Sequence, residues 1–215
     1  MSVLPFSQAL RERTWSGHSD SEGADFMTDL MRGAGTREDY IALTAQHYFI
    51  YEALEGAEKT FADDATVAHF VSPRLTRLPA LEADLEFLLG PSWREEISPL
   101  PTTVAYVARI RRIAAERWAG GFIAHHYTRY LGDLSGGQFI GKVMKRRFGF
   151  ETNGIGFYLF DEIADPKEFK DTYREQLDAV DWDEAERERV IDEVLRAYRF
   201  NTELFVDLSR AKAVA

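Results

Sequence analysis

The chain contains no cysteine among its 215 residues. Disulfide bonds, thiolate metal sites and cysteine nucleophiles are therefore excluded, and we expect a cytoplasmic location. The sequence also has no apolar run of the length that a membrane-spanning helix needs, and residues 1–15 lack the basic and apolar regions of a signal peptide. We therefore expect neither a membrane span nor a secretion signal.

Positive charge is scarce, since 26 Lys and Arg residues face 36 Asp and Glu residues and leave a net charge of -10. Most of the surface would repel phosphate groups, so sequence-independent binding of nucleic acid is not expected. One local basic group is the exception, and it consists of Lys142, Lys145, Arg146 and Arg147. This group either complements the C-terminus of a helix or binds an acidic redox partner.

The periodicity is helical almost throughout, with apolar residues returning every three or four positions and no alternation of the kind that strands show. The sequence predicts one all-α domain over residues 1–215, a bundle of about eight helices. The first helix is expected from about Ser7 to Ser16, where Gly17 weakens its end. A capping pattern at 36–39 begins a long helix, and the last two helices are expected at about 166–179 and 183–208.

The segment 125–144 is helical in pattern but carries four glycines, at positions 132, 136, 137 and 141. Each glycine inside a helix costs about 1 kcal/mol relative to alanine, so some compensating role is expected. Gly132 and Gly136 share one helix face, where a flat or bulky partner can approach the backbone. The alternative is a close helix–helix crossing or a helix interrupted by a loop.

Asp133 and Ser135 lie inside the same glycine run, and a face used only for packing has little use for a carboxylate. The run YTRYLGDLSGGQ, residues 127–138, resembles the distal-helix signature of the haem oxygenase family. The resemblance implies that haem is sandwiched between a proximal helix and this kinked, glycine-rich distal helix. It assigns Asp133 to the organisation of water for proton delivery, and Gly132 and Gly136 to the close approach of the backbone.

Five histidines occur, and none has a glutamate three residues before it, so the sequence cue of a carboxylate-bridged metal pair is missing. A single axial histidine on a haem iron fits better. Alone, a histidine such as His18 is more often a surface or capping residue, but Glu22 lies four residues later and can orient its ring. The pattern His18-x-x-x-Glu22 followed by Phe26 and Met27 resembles the proximal motif of the same family, with His18 as the iron ligand.

The resemblance extends to residues that would contact haem. Lys170 and Arg174 match the pair that holds a propionate, Tyr127 matches a tyrosine with the same role, and Arg11 replaces a basic residue of the first helix. The predicted haem contacts are Arg11, Glu22, Tyr127, Ser135, Gly137, Lys170 and Arg174.

The family implies haem b as both substrate and prosthetic group, cleaved by O2 and reducing equivalents to biliverdin, carbon monoxide and Fe2+. The clamp residues favour the α isomer, and the expected role is iron acquisition from haem in a soluble, monomeric bacterial protein. Electrons must come from a ferredoxin or an NAD(P)H-dependent reductase, because no glycine-rich nucleotide motif follows a predicted strand. The alternative is a haem carrier or storage protein without turnover, which would not need Asp133 in the distal helix.

Overall fold

The structure is a computed structural model that describes residues 4–22 and 24–214, without the side chains of Glu22 and Val214. Within these residues it is an all-α single domain of nine helices with no strand, so the predicted fold class is confirmed. The helices are α1 (Phe6–Glu22), α2 (Asp25–Arg32), α3 (Arg37–Glu58), α4 (Leu78–Leu89), the single turn α5 (Trp93–Glu96), α6 (Pro101–Ala115), α7 (119–148), α8 (Pro166–Ala179) and α9 (Glu184–Val214).

Several helix ends follow directly from the local sequence. The Thr36 hydroxyl accepts a hydrogen bond from the Asp39 N–H at 3.1 Å, and the Asp39 carboxylate accepts one from the Thr36 N–H at 2.8 Å, which is a capping box. Gly33 and Gly149 end α2 and α7 in the left-handed conformation, with φ of 76° and 72°. Asp165 caps α8 just before Pro166. These signals explain why the predicted position of α8 is confirmed.

The first helix is longer than predicted, because α1 continues through Gly17 and His18 to Glu22. At Gly17 a Cβ atom would lie 3.2 Å from the Cβ of Tyr198, so the glycine allows α1 to pack closely on α9. Burial against α9 offsets the low helix propensity of glycine. His18 therefore lies on a continuous helix rather than after its end.

The last helix also exceeds its prediction, since α9 runs to Val214. Lys212 lies in this extension and forms an ion pair with Asp39 at 2.8 Å, which ties the end of α9 to the start of α3. No helix in the described part of the chain is long and apolar enough to cross a membrane.

The core lies where α3, α6, α7 and α9 pack on one another. Fully buried aromatic side chains from three of these helices fill it, among them Tyr51, Tyr106, Phe122 and Tyr130. Because α1 and α2 pack on α9, they reach the side of α7 that the core leaves open. The middle of α7 is thereby positioned between a rigid core and the N-terminal helices.

Candidate active site

The glycine-rich segment is part of one continuous helix whose middle is widened. Helix α7 is α-helical over Ala119–His126, forms π turns over Tyr127–Leu131 and Asp133–Gly137, and is α-helical again over Gln138–Phe148. π turns inside α-helices are uncommon and occur frequently at functional sites. The local distortion expected from the glycines thus takes the form of wider turns, with no loop interrupting the helix.

A cleft runs beside these π turns and has a volume of about 730 Å³, including the part that is open to solvent. Five helices supply its walls, and one turn that precedes α8 adds a tyrosine. The lining residues that matter below are His18 of α1, Met27 of α2, Leu43 and His47 of α3, Arg129, Gly132, Asp133, Gly136, Gly137 and Ile140 of α7, Tyr158, and Tyr198, Asn201 and Phe205 of α9.

The glycines of α7 serve two different purposes. A Cβ atom on Gly132 would meet nothing within 4 Å, so this backbone faces open space in the cleft. A Cβ atom on Gly141 would lie 2.9 Å from the Cβ of Tyr158, and one on Gly137 would lie 3.3 Å from its Cδ1. Gly132 therefore leaves room for a ligand, whereas Gly137 and Gly141 leave room for Tyr158. The close-packing alternative applies to this second pair, although Gly137 also lines the cleft.

Asp133 belongs to a buried polar cluster, called the cleft cluster below, together with Tyr51, Arg129 and Asn201. The Tyr51 hydroxyl donates a hydrogen bond to the Asp133 carboxylate. The Arg129 guanidinium donates to the Tyr51 hydroxyl at 3.4 Å and to the Asn201 side-chain oxygen at 3.0 Å. Three helices, α3, α7 and α9, thus position one carboxyl group on the cleft wall.

The electrostatics of the cleft cluster favour a proton on Asp133. Burial raises the pKa of the Asp133 carboxyl, and the Arg129 cation and the Tyr51 hydrogen bond only partly oppose that shift. Burial also disfavours the charged form of Arg129, but the oxygens of Tyr51 and Asp133 outweigh it and raise the pKa of the guanidinium. The cluster therefore combines a fixed cation with a carboxyl that holds a proton more readily than an ordinary aspartic acid.

Sequence reasoning did not include Tyr51, Arg129 or Asn201 among the site residues. Tyr51 falls within the apolar periodicity of α3 and reads as a core aromatic. The arginine lies inside the quoted motif, where a cation in a stretch of buried positions is an available signal. Nothing local to Asn201 indicates that its amide reaches Arg129.

His18 lines the cleft from α1, half-buried. Its ring stacks on Trp15 with centroids 5.4 Å apart and meets the edge of Tyr198 at 5.6 Å. These two aromatic contacts restrict the orientation of the imidazole. The predicted contact from Glu22 involves a side chain outside the described residues, so it stays a prediction.

The predicted propionate-binding residues meet at an opening of about 850 Å³ that adjoins the cleft and shares His18, Gly132 and Tyr198 with it. The Lys170 ammonium donates to the Ser135 hydroxyl at 2.8 Å, and Arg174 pairs with Asp171 at 2.7 Å. Burial raises the pKa of Tyr127, and the cations of Arg174 and Arg11 oppose the shift. The polar side chains at this opening, called the clamp below, are Arg11, Tyr127, Ser135, Lys170 and Arg174.

The residues present fit haem. One wall carries an imidazole, the other is open backbone at Gly132 beside a buried carboxyl, apolar side chains line the interior, and cations stand at the opening. A flat apolar ring with acidic substituents matches this distribution, because carboxylates bind basic side chains through charge-assisted hydrogen bonds. The fold and the site together define an all-α protein built around a cleft for an amphipathic, planar cofactor.

Comparisons with known proteins agree with this class. The family model described as Heme oxygenase matches residues 4–207. Heme oxygenase 1 of the cyanobacterium Synechocystis sp. is 38% identical over 208 residues, which cover 97% of this chain and 86% of that protein. Heme oxygenase 1 of Homo sapiens is 37% identical over 205 residues, covering 94% of this chain and 71% of that protein.

A solved structure gives the same result. The crystal structure of heme oxygenase-1 from Synechocystis sp. in complex with heme matches with a TM-score of 0.90 at 35% identity, covering 98% of this chain and 97% of that chain. The chain therefore belongs to the haem oxygenase family. It is an enzyme of haem degradation.

Proposed function

We propose that this chain cleaves haem b with O2 and reducing equivalents to the α isomer of biliverdin, carbon monoxide and Fe2+, and that it serves iron acquisition from haem. The observation that carries this proposal is the buried Asp133 carboxyl on the wall of the cleft that also contains His18. A protein that only carries haem has no need for a carboxyl with a raised pKa at that place.

In this proposal His18 is the iron ligand and the clamp binds the propionates. Arg11, Lys170 and Arg174 supply positive charge, and the Tyr127 and Ser135 hydroxyls supply hydrogen bonds. The backbone at Gly132 and Gly136, together with Gly137, would contact the bound haem, because all three line the cleft. Bound haem would supply the iron at which O2 is activated and the ring carbon that is oxidised.

The cleft cluster is proposed to deliver protons. The Asp133 carboxyl organises water in the cleft and exchanges a proton with it, as a general acid does, and its raised pKa favours that exchange. Tyr51 fixes the position of that carboxyl, Arg129 fixes the Tyr51 hydroxyl, and Asn201 fixes Arg129. These hydrogen bonds fix the carboxyl at one position on the cleft wall.

Selectivity for the α position is supported by the asymmetry of the site. All the clamp cations lie at one opening, between α1 and α8, so the propionates are bound at a single edge of the ring. Rotation of the macrocycle about its axis would remove these contacts. The clamp would thus hold bound haem in one orientation, and the family resemblance implies attack at the α position.

Electrons are proposed to come from an acidic ferredoxin or an NAD(P)H-dependent reductase that binds a monomer of this chain. The support is the basic group at the end of α7, in which Lys142, Lys145, Arg146 and Arg147 are all exposed while the whole chain has a net charge of -10. Complementary charge speeds the encounter of two proteins. Replacing Lys142, Lys145 and Arg146 by glutamate should slow reduction by the partner at low salt and leave turnover with ascorbate unchanged.

The proposal is tested by adding one equivalent of hemin to the purified protein and then ascorbate or a reductase system in air, with an iron chelator present. We expect the Soret band to decay into the broad red absorption of biliverdin, and chromatography to identify the α isomer. A Soret band that persists with two different electron donors would support the carrier alternative. The His18→Ala variant should lose the spectrum of a histidine ligand, and an unchanged spectrum would contradict that assignment.

A further inference from the structure

Two polar side chains in the cleft have no part in the proposed chemistry. His47 lies on α3, and Tyr158 ends the short 3-10 turn Gly156–Tyr158. Both line the cleft, and they are only 6% and 3% exposed. The Nδ1 atom of His47 and the hydroxyl of Tyr158 are buried and have no hydrogen-bond partner among the described residues. Buried polar atoms without a partner are uncommon and costly, so both require an explanation.

Both side chains contact one aromatic ring, and each is within electrostatic reach of the cleft cluster, His47 of Arg129 and Tyr158 of Asp133. Phe157 contacts both, with its ring centroid 5.0 Å from that of His47 and 4.8 Å from that of Tyr158. The His47 ring also meets Tyr51 edge-on at 6.4 Å. The apolar residues that line the same cleft include Met27, Leu43, Ile140 and Phe205. A wall that served only to exclude water would be better built from leucine and phenylalanine at these two positions.

Both groups are kept neutral. Burial lowers the pKa of His47, and the Arg129 cation lowers it further, so one ring nitrogen donates and the other accepts. Burial raises the pKa of the Tyr158 phenol, and the Asp133 carboxylate raises it further, so the O–H is retained. A neutral imidazole beside a neutral phenol suits a small neutral molecule that both donates and accepts hydrogen bonds. Water has these properties, and a buried water typically makes two to four such bonds.

We propose that His47 and Tyr158 bind a shared, ordered water molecule in the cleft, which adds a second arm to the cleft cluster. The water site depends on the cavity alone, whereas its part in proton delivery rests on the proposed function. His47 and Tyr158 are positioning residues in this scheme, because they act through the water and not on the substrate. This second arm is a chain of hydrogen bonds from the shared water to the Asp133 carboxyl, and it is separate from the hydrogen bond that Tyr51 makes to that carboxyl.

The water site is tested on the protein without haem, using Tyr158→Phe, His47→Leu and the double variant. If one water joins the two groups, the second substitution removes little that the first has left, so the shift of Tm in the double variant is smaller than the sum of the single shifts. Shifts that add within error would overturn the proposal. Tyr48→Phe is the matched control, since Tyr48 does not line the cleft and its hydroxyl donates to Glu52 on its own helix at 3.3 Å.

A second readout does not depend on stability. In protein labelled with 15N at histidine, Tyr158→Phe should shift the ring-nitrogen signals of His47, because the shared water loses one partner, and Tyr48→Phe should not. Unchanged His47 signals in Tyr158→Phe would contradict a shared water even if the variants differed in Tm.

The second arm is tested with hemin bound. We expect the double variant to bind hemin like the wild type and to open the ring several-fold more slowly. An unchanged rate would contradict the role in proton delivery. If the wild type itself fails to open the ring, the proposed function fails, and the measurements without haem still decide on the water site.

Discussion

Helix α7 contributes to two buried polar clusters, through His125 and, about two turns later, through Asp133, and the pKa of the carboxyl is shifted in opposite directions in the two. The first, called the structural cluster, joins His125 to Glu193 of α9 at 2.9 Å and Glu193 to Arg109 of α6 at 2.8 and 2.7 Å. The second is the cleft cluster around Asp133. Burial acts against the charge of Glu193, yet the hydrogen bonds from Arg109 and His125 lower its pKa to about 2. The pKa of Asp133, in contrast, is raised.

The difference lies in the donors that reach each carboxyl. Glu193 receives a bidentate guanidinium and an imidazole, which together compensate for its removal from water. Asp133 receives one phenol, and Arg129, the nearby cation, is directed to Tyr51 and Asn201 instead. A buried carboxyl with full donors has a lowered pKa and stabilises the bundle, whereas one with few donors has a raised pKa. Only the second kind lies on the wall of the cleft.

The largest effect is expected for Asp133→Asn. This change preserves the shape of the side chain but removes the group that exchanges a proton, so ring opening should slow by about 10²- to 10⁴-fold, the usual range for general acid catalysis. Hemin binding should stay unchanged, since His18 and the clamp are intact. Single-turnover absorbance after reduction measures the rate. Ring opening at the wild-type rate would remove Asp133 from the mechanism.

Glu193→Gln should have the opposite profile. It leaves Arg109 and His125 with a weaker acceptor and should lower the free energy of unfolding by about 3 kcal/mol, typical for the loss of one partner in a buried ion pair. Urea unfolding measures this change, and the rate of ring opening per folded molecule should be retained. Glu116→Gln is the control, because its ion pair with Arg112 is exposed and its loss should not change stability measurably. If the Glu193→Gln and Glu116→Gln variants were equally stable, the structural role of Glu193 would be refuted.

Two glycine substitutions test which glycine leaves room for a ligand and which leaves room for a neighbouring side chain. Gly141→Ala places a Cβ atom 2.9 Å from Tyr158 and should destabilise the protein by about 1 to 3 kcal/mol through overpacking. Gly132→Ala meets no atom within 4 Å and should keep the stability or raise it by up to about 1 kcal/mol, while it weakens hemin binding. Thermal unfolding and hemin titration measure both effects. The reverse order of stabilities would contradict the division of the glycines.

The smallest effects are changes of the free energy of unfolding with pH, and we expect them to run in opposite directions for Glu193 and Glu58. The folded-state pKa of Glu193 is lowered from 4.5 to about 2, so its stabilisation is present above pH 4.5 and lost as the pH falls through 2. Burial and the neighbouring Glu55 raise the pKa of Glu58 from 4.5 to about 7, so its contribution is present below pH 4.5 and lost as the pH rises through 7. Glu58→Gln should therefore stabilise the protein at pH 8 but not at pH 4.5, and Glu193→Gln should destabilise it less at pH 3 than at pH 7. Urea unfolding at these pH values measures both, and a shared trend would contradict the assignment of the two pKa shifts.

The sequence predicts those features that depend on neighbours along the chain. The capping box at Thr36, the proline that begins α8 and the helical periodicity are local signals, and the helices they predict are present. The extent of α1 is not local, because Gly17 stays helical only through its packing on Tyr198 of α9. The predicted ending near Ser16 is wrong for that reason.

The same distinction applies to the site. Asp133, three glycines and the clamp are visible in one motif, one lysine–arginine pair and Arg11 of the first helix, and the structure brings them to the cleft and its opening. Tyr51 and Asn201 join Asp133 and Arg129 from helices far away in sequence. Their hydrogen bonds depend on how α3 and α9 pack on α7, which no local pattern encodes. The catalytic and haem-binding roles of these residues stay predictions.

The contrast between the two clusters is tested most directly by 13C NMR titration of the two carboxyl carbons, with Asp133→Asn and Glu193→Gln used to assign the signals. We expect Asp133 to titrate above the ordinary aspartate value of 3.8 and Glu193 near pH 2. If Asp133 titrates below 3.8, or together with Glu193, then the pKa of the cleft carboxyl is not raised and the contrast between the two clusters fails.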